Sequence, residues 1–157
     1  MVASAVVPPD CDARVARILA YWHSIRPAPE RLPGRQHVEP TDLSGLLRWV
    51  WLVDVQREPL RFRYRLVGTG HREVIGADLT GRWIDEAFPD FPRMRGYAEF
   101  VAVARGEVSY CRRVPEFRVG EKYVAMERLL LPLARDGVTV DMMLGFTLYT
   151  RADGTVV

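Results

Sequence analysis

Apolar and polar residues alternate along this chain with two periods, and the change from one to the other marks out its elements. From Asp12 onward Val15, Ile18, Leu19 and Trp22 recur at three- and four-residue spacing, which predicts an amphipathic helix over residues 12–26. Asp10 or Asp12 is placed to cap it, and Pro27 and Pro29 end it. Residues 1–11, with Pro8 and Pro9, read as a disordered lead. Pro40-Thr41-Asp42-Leu43 opens a short helical turn with Leu43, Leu46 and Leu47 expected to face inward. A period of two then takes over. Trp49 to Val55 and Arg61 to Val67 read as strands, and in the second Phe62, Tyr64 and Leu66 alternate with Arg61, Arg63 and Arg65. Short helical pieces follow at His71 to Ile75, Trp83 to Phe88 (with Thr80 as a candidate cap) and Met94 to Arg105. Three strands close the chain: Val108 to Arg118, Tyr123 to Leu133 and Val138 to Thr150. The first pair turns at Val119-Gly120-Glu121 and the second at Asp136-Gly137, a strong hairpin signal.

Strand runs split by a helical block predict an α+β fold with an antiparallel sheet rather than a parallel one. The central helices cover one sheet face. The N-terminal helix needs a second burial site, either the other face or a partner chain, and it is the candidate element for a homodimer. Val138–Thr150 is apolar on both faces, which suits a central strand.

Length and composition narrow the reading. The 157 residues make one domain, expected over 12–150 with a tail at 151–157. A net charge of +2 does not argue for nucleic acid, and Lys122 is the single lysine among 22 basic residues, a bias read as coding preference rather than phosphate recognition. Cys11 and Cys111 form no metal or disulfide pattern and suit a reducing compartment. No apolar run is long enough for a membrane span, and the N-terminus lacks a secretory pattern; a cytoplasmic protein is expected.

Enzyme signatures are weak. Gly68-Thr-Gly70 follows a strand, but position 73 is Glu and no βαβ unit follows, so a tight turn is preferred to a phosphate loop. His23, His37 and His71 are too scattered for a metal site. The acids Asp54, Asp85 and Asp141 do not converge in the sequence, and no catalytic residue is assigned.

Three blocks carry a resemblance: Phe62-Arg-Tyr-Arg-Leu-Val-Gly-Thr69, Gly76-Ala-Asp-Leu-Thr-Gly81 and Glu127-Arg-Leu-Leu-Leu-Pro-Leu133. Leu32-Pro-Gly-Arg35 and Trp51-Leu-Val-Asp-Val55 fit the same pattern. In this order they resemble a PAS-like domain family of alphaproteobacteria. The resemblance covers residues 12–150 and implies a PAS-like five-stranded antiparallel sheet with helices on one face and a sensory role. It also frames the cofactor question. Light-sensing flavin relatives carry a reactive Cys in the helical block, whereas no Cys occurs between residues 12 and 110 here. Haem-binding relatives ligate through a His on the long helix, whereas Met94 to Arg105 contains none. Both groups are disfavoured on these grounds and the cofactor is left open.

What remains is a pocket between sheet and helices, with Phe62, Tyr64, His71, Trp83, Tyr97, Tyr110, Arg112 and Arg128 as candidate ligand-binding residues. Arg112-Arg113 and Glu127-Arg128 lie on two strands of one hairpin. They are placed either to pair across the sheet or to present an arginine to a ligand carboxylate or phosphate. The expected function is a stand-alone, non-catalytic sensory or regulatory domain that binds a small molecule or a protein partner. It signals through helix or dimer rearrangement. An adaptor with a filled core and a small α+β enzyme are the alternatives.

Overall fold

The structure, a computed structural model, describes residues 7–115 and 122–157. The expected turn at Val119-Gly120-Glu121 and residues 1–6 of the expected lead lie outside the described residues.

Helix α1 (Ala13–Ser24) begins where Asp12 accepts the Arg14 N–H at 2.9 Å, and the Arg14 side chain bonds back to the same carboxylate. Its Val15, Ile18 and Trp22 are buried. They pack on Leu129, Leu131 and Leu133 of the chain's own sheet, and Trp22 Nε1 donates to the Pro132 carbonyl at 2.9 Å. The apolar face expected to serve a dimer is therefore used within the chain. A partner meeting α1 would find its outer, polar side.

Five strands form one antiparallel sheet: β1 (Val50–Gln56), β2 (Arg61–Val67), β3 (Ser109–Arg113), β4 (Tyr123–Leu133) and β5 (Met142–Arg151). Their order is β2-β1-β5-β4-β3, which puts β5 in the centre. It begins four residues later than the alternation predicts. Asp136 Oδ1 accepts the amides of Val138 and Thr139 at 2.8 and 2.7 Å, which takes those residues into the turn and leaves Val138 exposed. Gly137 supplies the positive φ (82°) that the turn needs. Strand β3 stops at Arg113, two residues short of Pro115, which has no N–H to give the ladder.

In β2 the simple alternation fails at a bulge. Leu52 pairs with Leu66 but Val53 pairs with Tyr64, so Arg65 is the extra residue. Beyond it the faces exchange: Val67 is buried like Phe62 and Tyr64, whereas Leu66 is exposed. Leu47 is likewise exposed while Leu43 and Leu46 are buried, because the short 3-10 turn Leu47–Trp49 points it outward.

The helical cover lies between β2 and β3 in sequence. It comprises α2 (Thr69–Ile75), α3 (Ile84–Ala87), a 3-10 turn at Phe91–Arg93 and α4 (Arg95–Ala104). Trp83 rather than Thr80 is the residue at the start of α3; Thr80 instead bonds Asp78. Two apolar layers result. One lies between α1 and the sheet. The other, built from Trp51, Val53, Phe62, Tyr64, Leu130 and Met143, lies under the helical cover.

The described residues of the expected lead and of the tail at 151–157 make contacts with the domain. Cys11 N–H donates to the Pro8 carbonyl at 3.1 Å and Asp10 pairs with Arg112 at 3.3 Å. At the other end Val157 is buried against Val74, Met126 and Tyr149, and its N–H donates to the Tyr149 carbonyl at 2.8 Å. Among the described residues no helix is long and apolar enough to cross a membrane.

Candidate functional site

The covered face of the sheet holds a cavity of about 50 Å³. Its floor is made by Trp51 of β1, Met126 and Arg128 of β4, and Thr147 and Tyr149 of β5. His71 of α2 closes one side, and Ile84, Phe88, Phe91, Met94 and Phe100 form the cover.

A glycine makes the floor possible. Gly145 lies directly across from Trp51, and a Cβ on it would sit 2.1 Å from the indole. The indole therefore occupies the space above Gly145 and donates from Nε1 to Thr147 Oγ1 at 2.9 Å. His71 stacks on it at 5.4 Å with the rings 14° apart. Gly68 and Gly70 let α2 start this close. A Cβ on either would lie within 3 Å of backbone carbonyls between Leu47 and Val50. The Gly-x-Gly pair is thus a packing device.

His71 is buried, with Nδ1 3.2 Å from the Tyr149 hydroxyl and no partner for Nε2 among the described residues. Burial, and then the nearby Arg128 guanidinium, push its pKa down to about 3, so the ring is neutral at ordinary pH. Burial raises the phenols of Tyr64 and Tyr149 well above their usual range.

At the far side of the cavity Arg113 and Arg128 converge on the Glu99 carboxylate of α4. Burial alone would raise the Glu99 pKa, but hydrogen bonding and charge from the two arginines outweigh it and hold the carboxyl below its usual range. Gly96 leaves room for this, since its missing Cβ would lie 3.3 Å from Arg128 Nη2. Arg128 is itself 9% exposed, and its Nε has no partner among the described residues.

The eight expected pocket residues separate into four groups. Tyr64, His71 and Arg128 line the cavity. Phe62 stands behind it against Phe91 and Phe100, and Tyr97 packs on Phe91 beside a smaller recess. Trp83 is on the outside under Arg61, whose guanidinium is 4.1 Å from its ring. Tyr110 and Arg112 are on the opposite sheet face, both bonded to Glu127, at 3.0 and 3.4 Å. There Glu127 also accepts the Asp12 N–H at 2.9 Å, and burial followed by that carboxylate raises the Tyr110 pKa to about 12. Arg112 is thus a cross-strand partner on the α1 side, and its neighbour Arg113 is the one that turns to the cavity. Trp51, Thr147, Tyr149, Phe91, Phe100 and Glu99 were not anticipated. A glycine inside an otherwise bulky apolar strand, as at 145, is the signal that something large lies against it. The acids Asp54 and Asp85 are taken up separately, by Arg63 and Arg61. Among the described residues no cluster of His, Cys, Asp and Glu is suited to a metal ion.

Comparison with known proteins agrees with this architecture. The family model described as PAS domain matches residues 12–148. A LOV protein of Rhodobacter sphaeroides superposes with a TM-score of 0.50 at 12% identity, covering 88% of this chain and 69% of that one, a likeness of fold alone. A fungal LOV domain photoreceptor gives a TM-score of 0.46 at 19% identity over 85% of this chain and 89% of its own. No curated protein matches the chain. With the match running from the cap of α1 to the last turns of central strand β5, the chain belongs to the PAS domain family.

Proposed function

We propose that this chain is a non-catalytic cytoplasmic sensory domain that takes a small molecule into the cavity between sheet and helices. The observation that carries the reading is His71 Nε2, buried at the cavity wall without a partner among the described residues. Leaving such a group unsatisfied costs about 1–3 kcal/mol, a cost that a ligand bond would remove. The apolar cover and few polar groups are the usual form of a small-molecule site. Catalysis is not favoured: a neutral imidazole and two high-pKa phenols supply no acid–base pair at neutral pH.

The signal would leave through the cover. Glu99 ties α4 to strands β3 and β4, so a ligand that changes that tie shifts α4 over the sheet and alters the surface offered to a partner chain. Native mass spectrometry of the purified chain, with an absorbance spectrum, tests the reading. A native mass above the denatured mass, with the excess lost in His71→Phe, supports it. A compact, empty chain that no cell-extract fraction stabilises supports a protein-interaction adaptor instead.

A further inference from the structure

We infer that the ligand of this cavity is a short-chain carboxylate whose carboxyl group takes the place of the Glu99 carboxylate on Arg128. This rests on the small-molecule reading of the same cavity. The first ground is the guanidinium. Arg128 is buried over the Phe100 ring at 5.7 Å and needs an anion beside it, because an uncompensated buried charge is strongly destabilising. That anion comes from α4, in the cover, rather than from the sheet that carries the arginine. Glu99 engages Nη2 and leaves Nε without a partner, whereas a guanidinium is built to grip a carboxylate through two parallel N–H donors.

The second ground is His71. When the Tyr149 hydroxyl donates to Nδ1, the neutral ring carries its proton on Nε2 and offers an N–H at the cavity wall. A carboxylate accepts from both Arg128 Nε and His71 Nε2, two buried donors of this cavity without a partner among the described residues.

Size sets the rest of the molecule. A cavity of about 50 Å³ is roughly a third of the 150 Å³ that accepts the six carbons of benzene, so the alkyl end is limited to about one or two carbons, the carboxyl group taking the space that the Glu99 carboxylate vacates. Its methyl or methylene groups meet Phe91, Met94 and Phe100. Because one carboxylate replaces another, the exchange leaves Arg128 neutralised and releases Glu99 from β4, while Arg113 of β3 still holds it. The release loosens α4 from β4.

Isotope-labelled protein titrated at constant ionic strength with propionate, and separately with neutral propionamide of the same shape, tests this. The readouts are the Trp51 indole and Arg128 Nε–H resonances. Propionate should shift both saturably, and propionamide should bind at least about tenfold more weakly. Glu99→Gln removes the internal competitor and should tighten propionate, while Arg128→Gln should abolish its binding. If Arg128→Gln fails to fold by circular dichroism, Glu99→Gln and the amide comparison decide alone. Propionamide binding as well as propionate, or a Glu99→Gln chain that binds propionate more weakly, overturns the carboxylate assignment and leaves the cavity a small-molecule site. No shift with either probe, together with an empty native mass, overturns both.

Discussion

Gly145→Ala offers the sharpest check on how the cavity floor is built. The added methyl would lie 2.1 Å from Trp51 Cε2 and 2.4 Å from Cδ2, in ring atoms of a side chain that is 1% exposed. Neither can yield alone, because the indole is fixed by its bond to Thr147 and by stacking on His71 and Phe100. Overpacking of this kind costs about 1–3 kcal/mol. Losing the indole hydrogen bond adds about 1 kcal/mol. The reduced entropy of the unfolded chain returns about 0.4–1 kcal/mol. The net is a destabilisation of about 1–3.6 kcal/mol, read as a lowered urea midpoint with unchanged slope. For a chain of this length it corresponds to roughly 2–14 °C in Tm. The Trp51 indole resonance should move as well. Gly96→Ala is the internal control. Its methyl would lie 3.3 Å from Arg128 Nη2, which needs to give by only a few tenths of an ångström, and alanine favours the helix by about 1 kcal/mol, so stability should change much less than at Gly145. A Gly145→Ala protein within about 0.5 kcal/mol of the parent, with its indole unmoved, would refute the close approach of Trp51 to β5.

Three further outcomes follow from the contacts. The folded-state pKa of His71, about 3, lies below its unfolded value. Its contribution is complete above pH 6.5 and is lost as pH falls toward 3, at about 1.4 kcal/mol per unit. Urea unfolding at pH 7 and pH 5 should show His71→Phe losing about 2 kcal/mol less than the parent over that interval, and parallel losses would count against the burial. Glu127→Gln weakens a carboxylate that holds the Asp12 amide, the Tyr110 hydroxyl and Arg112, so amide exchange at Asp12–Ala16 should rise roughly tenfold while the α4 amides stay unchanged. Val157→Ala removes two methyls packed on Val74, Met126 and Tyr149 and should cost about 1–2 kcal/mol in thermal unfolding; no cost would mean that Val157 is not seated against them.

Most of the architecture could be read from the sequence because its signals are local. The amphipathic period placed α1, and the Asp136-Gly137 pair located the turn between β4 and β5. The errors have local causes too, but of a kind alternation does not record. A bulged Arg65 reverses the faces of β2, and an aspartate that prefers amides to the ladder delays β5. The destination of the α1 face is a different matter. Val15, Ile18 and Trp22 need an apolar surface, and nothing in their spacing says whether it is the chain's own sheet or a second copy.

The site was harder to read because its strands are buried on both faces. In β2 the arginines mark the outside, but β4 and β5 are apolar at odd and even positions alike, so their sequences do not say which residues face the helices. A one-residue error in that choice moves every side chain to the other layer. This is why Arg112 stood in for Arg113: the two differ by one position on β3 and so belong to different sites. The residues that break the apolar run do carry the parity. Gly145 and Thr147 share a face, and Arg128 pairs across to Thr147 while Glu127 pairs to Leu148. Once Glu127 is placed beside the Asp12 amide at the foot of α1, Arg128 must point to the helical cover, and Arg113, paired with Met126, must join it there. The polar exceptions in β4 therefore assign opposite tasks to adjacent residues: Glu127 anchors the helix on one side, and Arg128 supplies the buried cation on the other.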